Sequence, residues 1–324
     1  MKPTSLYRKT LSRAWRTTRT HPHVWVLGFL AALLGNGGEF EFAITQFNRF
    51  SAGDVFFGES LLTMFGTGGS TVLNVVAALL ARATENATVL GGVSFVVVLV
   101  AWLVVSAQGA LIRAAANPGT ETLGPHFWAG SKSFWPMLGI LVFTRLGAFF
   151  VLGVVGMPLA ALFLYFMDPL KSLALISFVL GIPLLMVASL ISKYAIAYHM
   201  LEHRTLGVSI ARSLSLFFDH WLVSIELVVT LFVVNIVVGG AAILSILLLA
   251  APFLMLANTF AAGVWNSAFL AFGQVLGFLL LVVMGSILAT FQYASWAELF
   301  LRISRERHTS KIVRVIMGWH AKYR

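Results

Sequence analysis

The sequence has no cysteine and little acid, with 12 Asp or Glu in 324 residues. Without cysteine there are no disulfides, thiolate metal sites or cysteine nucleophiles. Charge of either sign is scarce: 10% of residues are charged, against 59% hydrophobic. A soluble domain carries about 25% charged residues, so this chain could not clothe its own surface in water. The shortage is also clustered. From Leu227 to Ala297 there is no Asp, Glu, Lys or Arg, which leaves room for at least two membrane spans of about 20 residues each.

What is present is apolar and basic, with a net charge of +10. Lipid offers the backbone no hydrogen-bond partners, so a spanning segment is a helix or part of a closed barrel. Runs such as Phe95 to Val100 lack the alternation of barrel strands, and helices follow. The expected fold is all-α: a polytopic membrane protein of about six transmembrane helices, with amphipathic interfacial helices on the cytosolic face. The candidate spans are Val24–Leu34 (extending to Gly38), a segment within Asn86–Ile112, Trp135–Gly156, Ser172–Ser192, Trp221 to just before Pro252, and Trp265–Ala297. Pro158, Pro252 and Asn258 are expected at turns between spans. The first apolar run follows a basic stretch with no small-x-small cleavage site, and reads as a retained helix.

Charge sets the expected orientation. Segments 1–23, 113–134, 193–220 and 302–324 hold 18 Lys or Arg against four acids, while 36–87 and 166–172 hold three against six. This is the positive-inside pattern of a cell-membrane protein with both termini in the cytosol. The chain thus divides into a basic amino-terminal segment (1–23), a transmembrane region (24–302, with outer segment 36–87) and a basic tail (303–324). Anionic phospholipid headgroups are the expected partner of these flanks, in preference to nucleic acid. A protein partner or a second copy of the chain stays open, and no cofactor is called for.

A faint repeat accompanies the charges. Ala107 leads to Trp135, Ala195 to Trp221 and Ala294 to Trp319 over 28, 26 and 25 residues. The joints between look like interfacial helices. Tyr7, Leu11, Ala14 and Trp15 share a face, as do Val208, Ala211, Leu214 and Phe218, and Ile312, Val315 and Ile316 in the tail. Packing of those faces against the rest of the protein is the alternative, and hydrophobic periodicity alone does not separate the two. The Gly- and Phe-rich segment 36–87 reads as an interfacial loop, with a lid, a re-entrant element or an oligomer contact as alternatives.

Few residues suggest chemistry. Arg145 and Glu226 are charges inside expected spans, costly in lipid unless paired or hydrated. Counted from Trp135 and Trp221, their depths differ by about 7 Å, and Lys193 is a second potential partner of Glu226. An interhelical ion pair is the structural reading, and a substrate or proton site the functional one. His199-Met-Leu-Glu202-His203 matches the H-x-x-E-H order of one zinc-peptidase class, so His199 and His203 are candidate metal ligands; polar residues at an interface are the plainer account. Gly273, Gly277 and Gly285 form a small-residue stripe suited to close helix packing.

Two stretches carry a resemblance. Ser5–Trp15 with Val24–Gly38, and Gly207–Trp221, resemble uncharacterised prokaryotic multi-pass proteins, a loose group that includes the membrane domain of glycerophosphoryl diester phosphodiesterases. The resemblance implies a helical membrane architecture with amphipathic joints. These 324 residues hold no counterpart of the soluble phosphodiesterase domain, so no catalytic residue carries over. The expected role is a non-enzymatic membrane scaffold or lipid-associated accessory. A small-solute or lipid transporter using Arg145 and Glu226 is the alternative, and an intramembrane zinc enzyme at His199, Glu202 and His203 the third.

Overall fold

A computed structural model describes residues 6–33, 87–117, 122–163, 177–259 and 264–304. Every element among them is helical. In chain order they are α1 (Leu6–Thr20), a 3-10 turn (Pro22–Val24), α2 (Trp25–Ala32), α3 (Ala87–Ala116), α4 (Leu123–Lys132), α5 (Phe134–Phe163), a π turn (Ser177–Gly181), α6 (Ile182–Glu202), α7 (Leu206–Thr259) and α8 (Val264–Ile303). Five of them are long and apolar enough to cross a membrane; Pro22–Ala32 is apolar but shorter. The outer segment 36–87 and the tail lie outside the described residues, apart from Ala87 at the start of α3 and Ile303 and Ser304 at the end of α8.

α8 is the axis of the bundle, in contact with α1, α2, α3, α6 and α7. The core gathers at one end of the long helices, in Val105–Ala115, Leu190–Met200, Leu216–Leu231 and Phe291–Ile303, closed over by α1 and α2. The alanines of the repeat, Ala107, Ala195 and Ala294, are all buried there. Beyond that end α7 and α8 continue as an antiparallel pair carrying exposed Val237, Leu244, Leu248, Met255, Phe272 and Phe278.

Two expected turns are helix instead. Pro158 lies inside α5 and Pro252 inside α7. A proline removes one backbone hydrogen bond and crowds the carbonyl four residues back, but contacts across the helix pair hold α7 together past it. Phe253 packs on Gly273, and its ring stands 5.2 Å from that of Phe272. Asn258, the third expected turn, is helical as well, since α7 runs to Thr259, and near that end Asn266 Nδ2 donates to the Ala257 carbonyl at 3.0 Å. The joint 207–219 leads directly into the fifth expected span through a kink at His220, whose backbone leaves the helical region (φ −130°, ψ 27°), so α7 is two helical stretches that meet there.

The amphipathic helices pack by an unexpected face. α1 buries Thr10, Ala14 and Thr18 against α8 and leaves Trp15 half exposed, edge-on to Phe291 at 6.0 Å. Thr18 closes its own hydroxyl on the Ala14 carbonyl at 2.9 Å, so its polarity does not oppose burial. Trp25 Nε1 donates to the Thr18 carbonyl at 2.9 Å and fixes the angle between α1 and α2. In α7, Ser209, Ser213, Leu216 and Phe217 turn inward, while Val208, Ala211, Leu214 and Phe218 face out.

Close approach needs glycine at two crossings. A Cβ at Gly28 would collide with the Ser286 carbonyl and the Thr290 hydroxyl of α8, and one at Gly130 with the Ser106 carbonyl of α3.

Candidate functional site

The charged candidates sit on helices that touch. Arg145 is on α5, Glu226 on α7 and Lys193 on α6, and these three helices pack pairwise. Arg145, Glu226 and Lys193 are each partly buried. Lys193 Nζ lies over the Trp296 ring of α8, 5.1 Å from its centroid, a cation–π geometry.

Around them is a set of hydrogen bonds between small polar side chains. Thr144, beside Arg145, meets Ser192 Oγ at 2.6 Å and ties α5 to α6. The Tyr194 hydroxyl meets Ser224 Oγ at 2.7 Å and ties α6 to α7. Gln292 Nε2 donates to Asn235 Oδ1 and ties α8 to α7. Ser224 donates its own proton to the His220 carbonyl, and of Thr144 and Ser192 one donates across to the other while the second donates to its own helix, at the Ile140 or Ala188 carbonyl. These hydroxyl and amide groups thus satisfy one another. Charge patterning could not have found them, because Ser, Thr, Asn and Gln leave an uncharged run unbroken.

The H-x-x-E-H stretch straddles a helix end. α6 stops at Glu202, and His203 takes the left-handed conformation (φ 52°) past its last turn. His199 Nδ1 bonds the Arg204 carbonyl at 2.7 Å, and the Glu202 carboxylate pairs with Arg204 Nε and Arg212 Nη1, both at 3.5 Å. These contacts cap α6 and brace it against the start of α7. Among the described residues no three or more His, Asp or Glu are grouped to hold a metal ion.

The glycine stripe of α8 divides. A Cβ at Gly273 would stand 3.1 Å from Phe253 Cβ and one at Gly277 3.5 Å from Ile246 Cγ2, both on α7, whereas Gly285 faces open space.

The feature with most chemistry was not singled out in the sequence. A pocket of about 590 Å³ opens between α1 and the end of α8, lined by Arg8, Lys9, Ser12, Arg13, Arg16 and Arg302. Behind it Glu298, only 5% exposed, reaches both helices. Its Oε1 is 3.3 Å from Arg13 Nε and its Oε2 3.8 Å from Arg302 Nε. The lone acid near the end of α8 gave no hint of this, since pairing 298 with residue 13 requires the fold.

Comparison with protein-family models, with curated proteins and with solved structures finds no match to the chain.

Proposed function

We propose that the chain is a non-enzymatic, multi-pass component of the cell membrane that acts by helix packing and by contact with anionic headgroups, as a scaffold or lipid-associated accessory. The observation that carries this reading is the division of its surface. One end is a closed core braced by basic amphipathic helices, and the remainder is a long helix pair covered in exposed aliphatic and aromatic side chains. In lipid such a surface is solvated; in water an apolar patch above a few hundred Å² is a liability. Trp15, Trp128, Trp135 and Trp221 are exposed around the closed end, suiting the headgroup level where indole belongs. The outward apolar faces of Val208, Leu214 and Phe218 favour interfacial joints over packed ones. The closed end is then cytosolic, with the first apolar helix completing about six spans. From Trp221 to Thr259 α7 is about 58 Å long, more than the roughly 30 Å hydrocarbon core requires, so it extends beyond the core into the headgroup layer. The likeness to the membrane domain of glycerophosphoryl diester phosphodiesterases belongs to this reading as architecture alone.

In this role Arg145 and Glu226 form an ion pair that fixes α5 against α7. Replacing either one alone leaves a charge in an apolar setting, while replacing both with apolar residues removes the problem. Arg145→Met and Glu226→Met should therefore each lower thermal stability in detergent, and the double variant should recover most of it. The transporter alternative makes the opposite demand. In proteoliposomes with a fluorescent lipid in both leaflets, the scaffold reading expects outward exposure no faster than in protein-free vesicles. Rapid exposure that Arg145→Met abolishes would establish the transporter instead.

A further inference from the structure

We infer that the pocket between α1 and α8 is a binding site for a phosphate-bearing anion of two or more negative charges, an inference that rests on the headgroup-contact reading above and specifies its chemistry. Four arginines and a lysine line it together with the Ser12 hydroxyl, and among the described residues the lining contains no acid. Glu298 offsets one charge of the Arg13–Arg302 pair and Arg8 has an interaction of its own, which leaves Lys9, Arg16 and one further guanidinium; a singly charged diester would offset one of these, whereas a phosphomonoester or a diphosphate offsets two or more. Arginine suits phosphate better than lysine does, because its planar fork donates two parallel hydrogen bonds to one phosphate.

The geometry is built and held. Arg8, Ser12 and Arg16 follow one another at four-residue intervals, as do Lys9 and Arg13, so α1 turns one continuous polar face to the pocket. Arg302 closes it from α8. Glu298 is a positioning residue: its buried carboxylate stands 3.3 Å from Arg13 Nε and forms a longer ion pair, at 3.8 Å, with Arg302 Nε, and each guanidinium has two further NH₂ groups with which to meet a ligand. At about 590 Å³ the groove is open to solvent, with its α1 lining residues exposed, and is roomy enough for a phosphate group. Trp15, half exposed on the same helix, sets α1 at the depth of lipid phosphates. The ligand is either the headgroup of a phosphomonoester lipid or a soluble di- or polyphosphate, and the chemistry that binds them is the same.

The test uses the full chain in nanodiscs of neutral phosphatidylcholine. One arm titrates inorganic pyrophosphate by calorimetry. The other counts lipids retained in native mass spectrometry from discs containing phosphatidic acid or, at equal charge, phosphatidylglycerol. Lys9→Gln with Arg16→Gln leaves the Glu298 contacts intact; Arg204→Gln with Arg212→Gln removes the same charge from another surface. The pocket pair should weaken binding at least tenfold and the control pair by less than twofold, with Glu298→Gln between them. Preference for phosphatidic acid without pyrophosphate binding assigns the lipid source, and pyrophosphate binding without lipid preference the soluble one; either result upholds the site. Equal weakening by both pairs, or no binding in either arm, overturns it. A chain that does not enter nanodiscs contradicts the membrane reading instead, and the pyrophosphate titration then tests the pocket in free solution.

Discussion

Gly28 is where the packing of the closed end can be broken by one methyl group. A Cβ there meets the Ser286 carbonyl and the Thr290 side chain, whose hydroxyl is itself bonded to that carbonyl at 2.8 Å. The nearest backbone atom cannot turn aside as a flexible side chain could, so α2 must retreat from α8. A gap of 0.5–1 Å forfeits roughly a quarter to a half of each van der Waals contact, and Leu27 and Ala31 lie buried along this helix, with Val24 buried just before it. Overpacking costs about 1–3 kcal/mol, and a backbone collision puts Gly28→Ala near the top of that range. Gly285→Ala, on the facing helix, meets nothing within 4 Å, and should be neutral or stabilising by up to about 0.5 kcal/mol through helix propensity. The two variants should therefore differ by about 3 kcal/mol, roughly a hundredfold in the folded-to-unfolded ratio. Unfolding in mixed micelles with increasing dodecyl sulfate measures both. Equal shifts in the two variants, or a silent Gly28→Ala, would refute the close crossing of α2 and α8.

Three other expectations can be checked with the same assay. Gln292→Ala and Asn235→Ala should each cost about 1 kcal/mol, with a coupling between them near the 0.6 average and below the 1.7 maximum for interhelical bonds in lipid; zero coupling would mean the two side chains do not bond. Tyr194→Phe should cost about as much, and its effect should vanish in the Ser224→Ala background if their hydroxyls meet as described. Glu298→Gln removes the carboxylate holding Arg13, whose side chain is 65% exposed, so the loss should be about 1 kcal/mol instead of the roughly 3–5 kcal/mol of a fully buried pair. Trypsin should then cut within α1 sooner, and an unchanged cleavage rate would show that the pair does not hold α1 down.

The helical class was legible because it follows from an absence, the 71-residue run from Leu227 to Ala297 without a charge. Turn positions were less so. Pro158 and Pro252 read as breaks by local rule, yet contacts such as Phe253 on Gly273 carry the helix pair past the second of them. The buried face of α1 was obscured for a similar reason. Periodicity counts Thr10 and Thr18 as polar, but a threonine bonded to its own helix can take the tight crossing while Trp15 turns out. The interior hydrogen bonds and the basic pocket could not be read at all. Asn235 and Gln292 are 57 residues apart, and Arg302 reaches residues 8–16 only through the packing of α1 on α8. Sequence shows which residues are basic, but the fold decides which of them share a pocket.

Because the chain contains no cysteine, a single introduced one is its only thiol. Thr259→Cys stands at the far end of α7 and Lys132→Cys on α4 at the closed end, and both positions are exposed. Labelled in intact cells with a membrane-impermeant maleimide, Thr259→Cys should react at once and Lys132→Cys only after permeabilisation. The reverse order would invert the orientation, and equal labelling of both in intact cells would contradict a chain that spans the membrane.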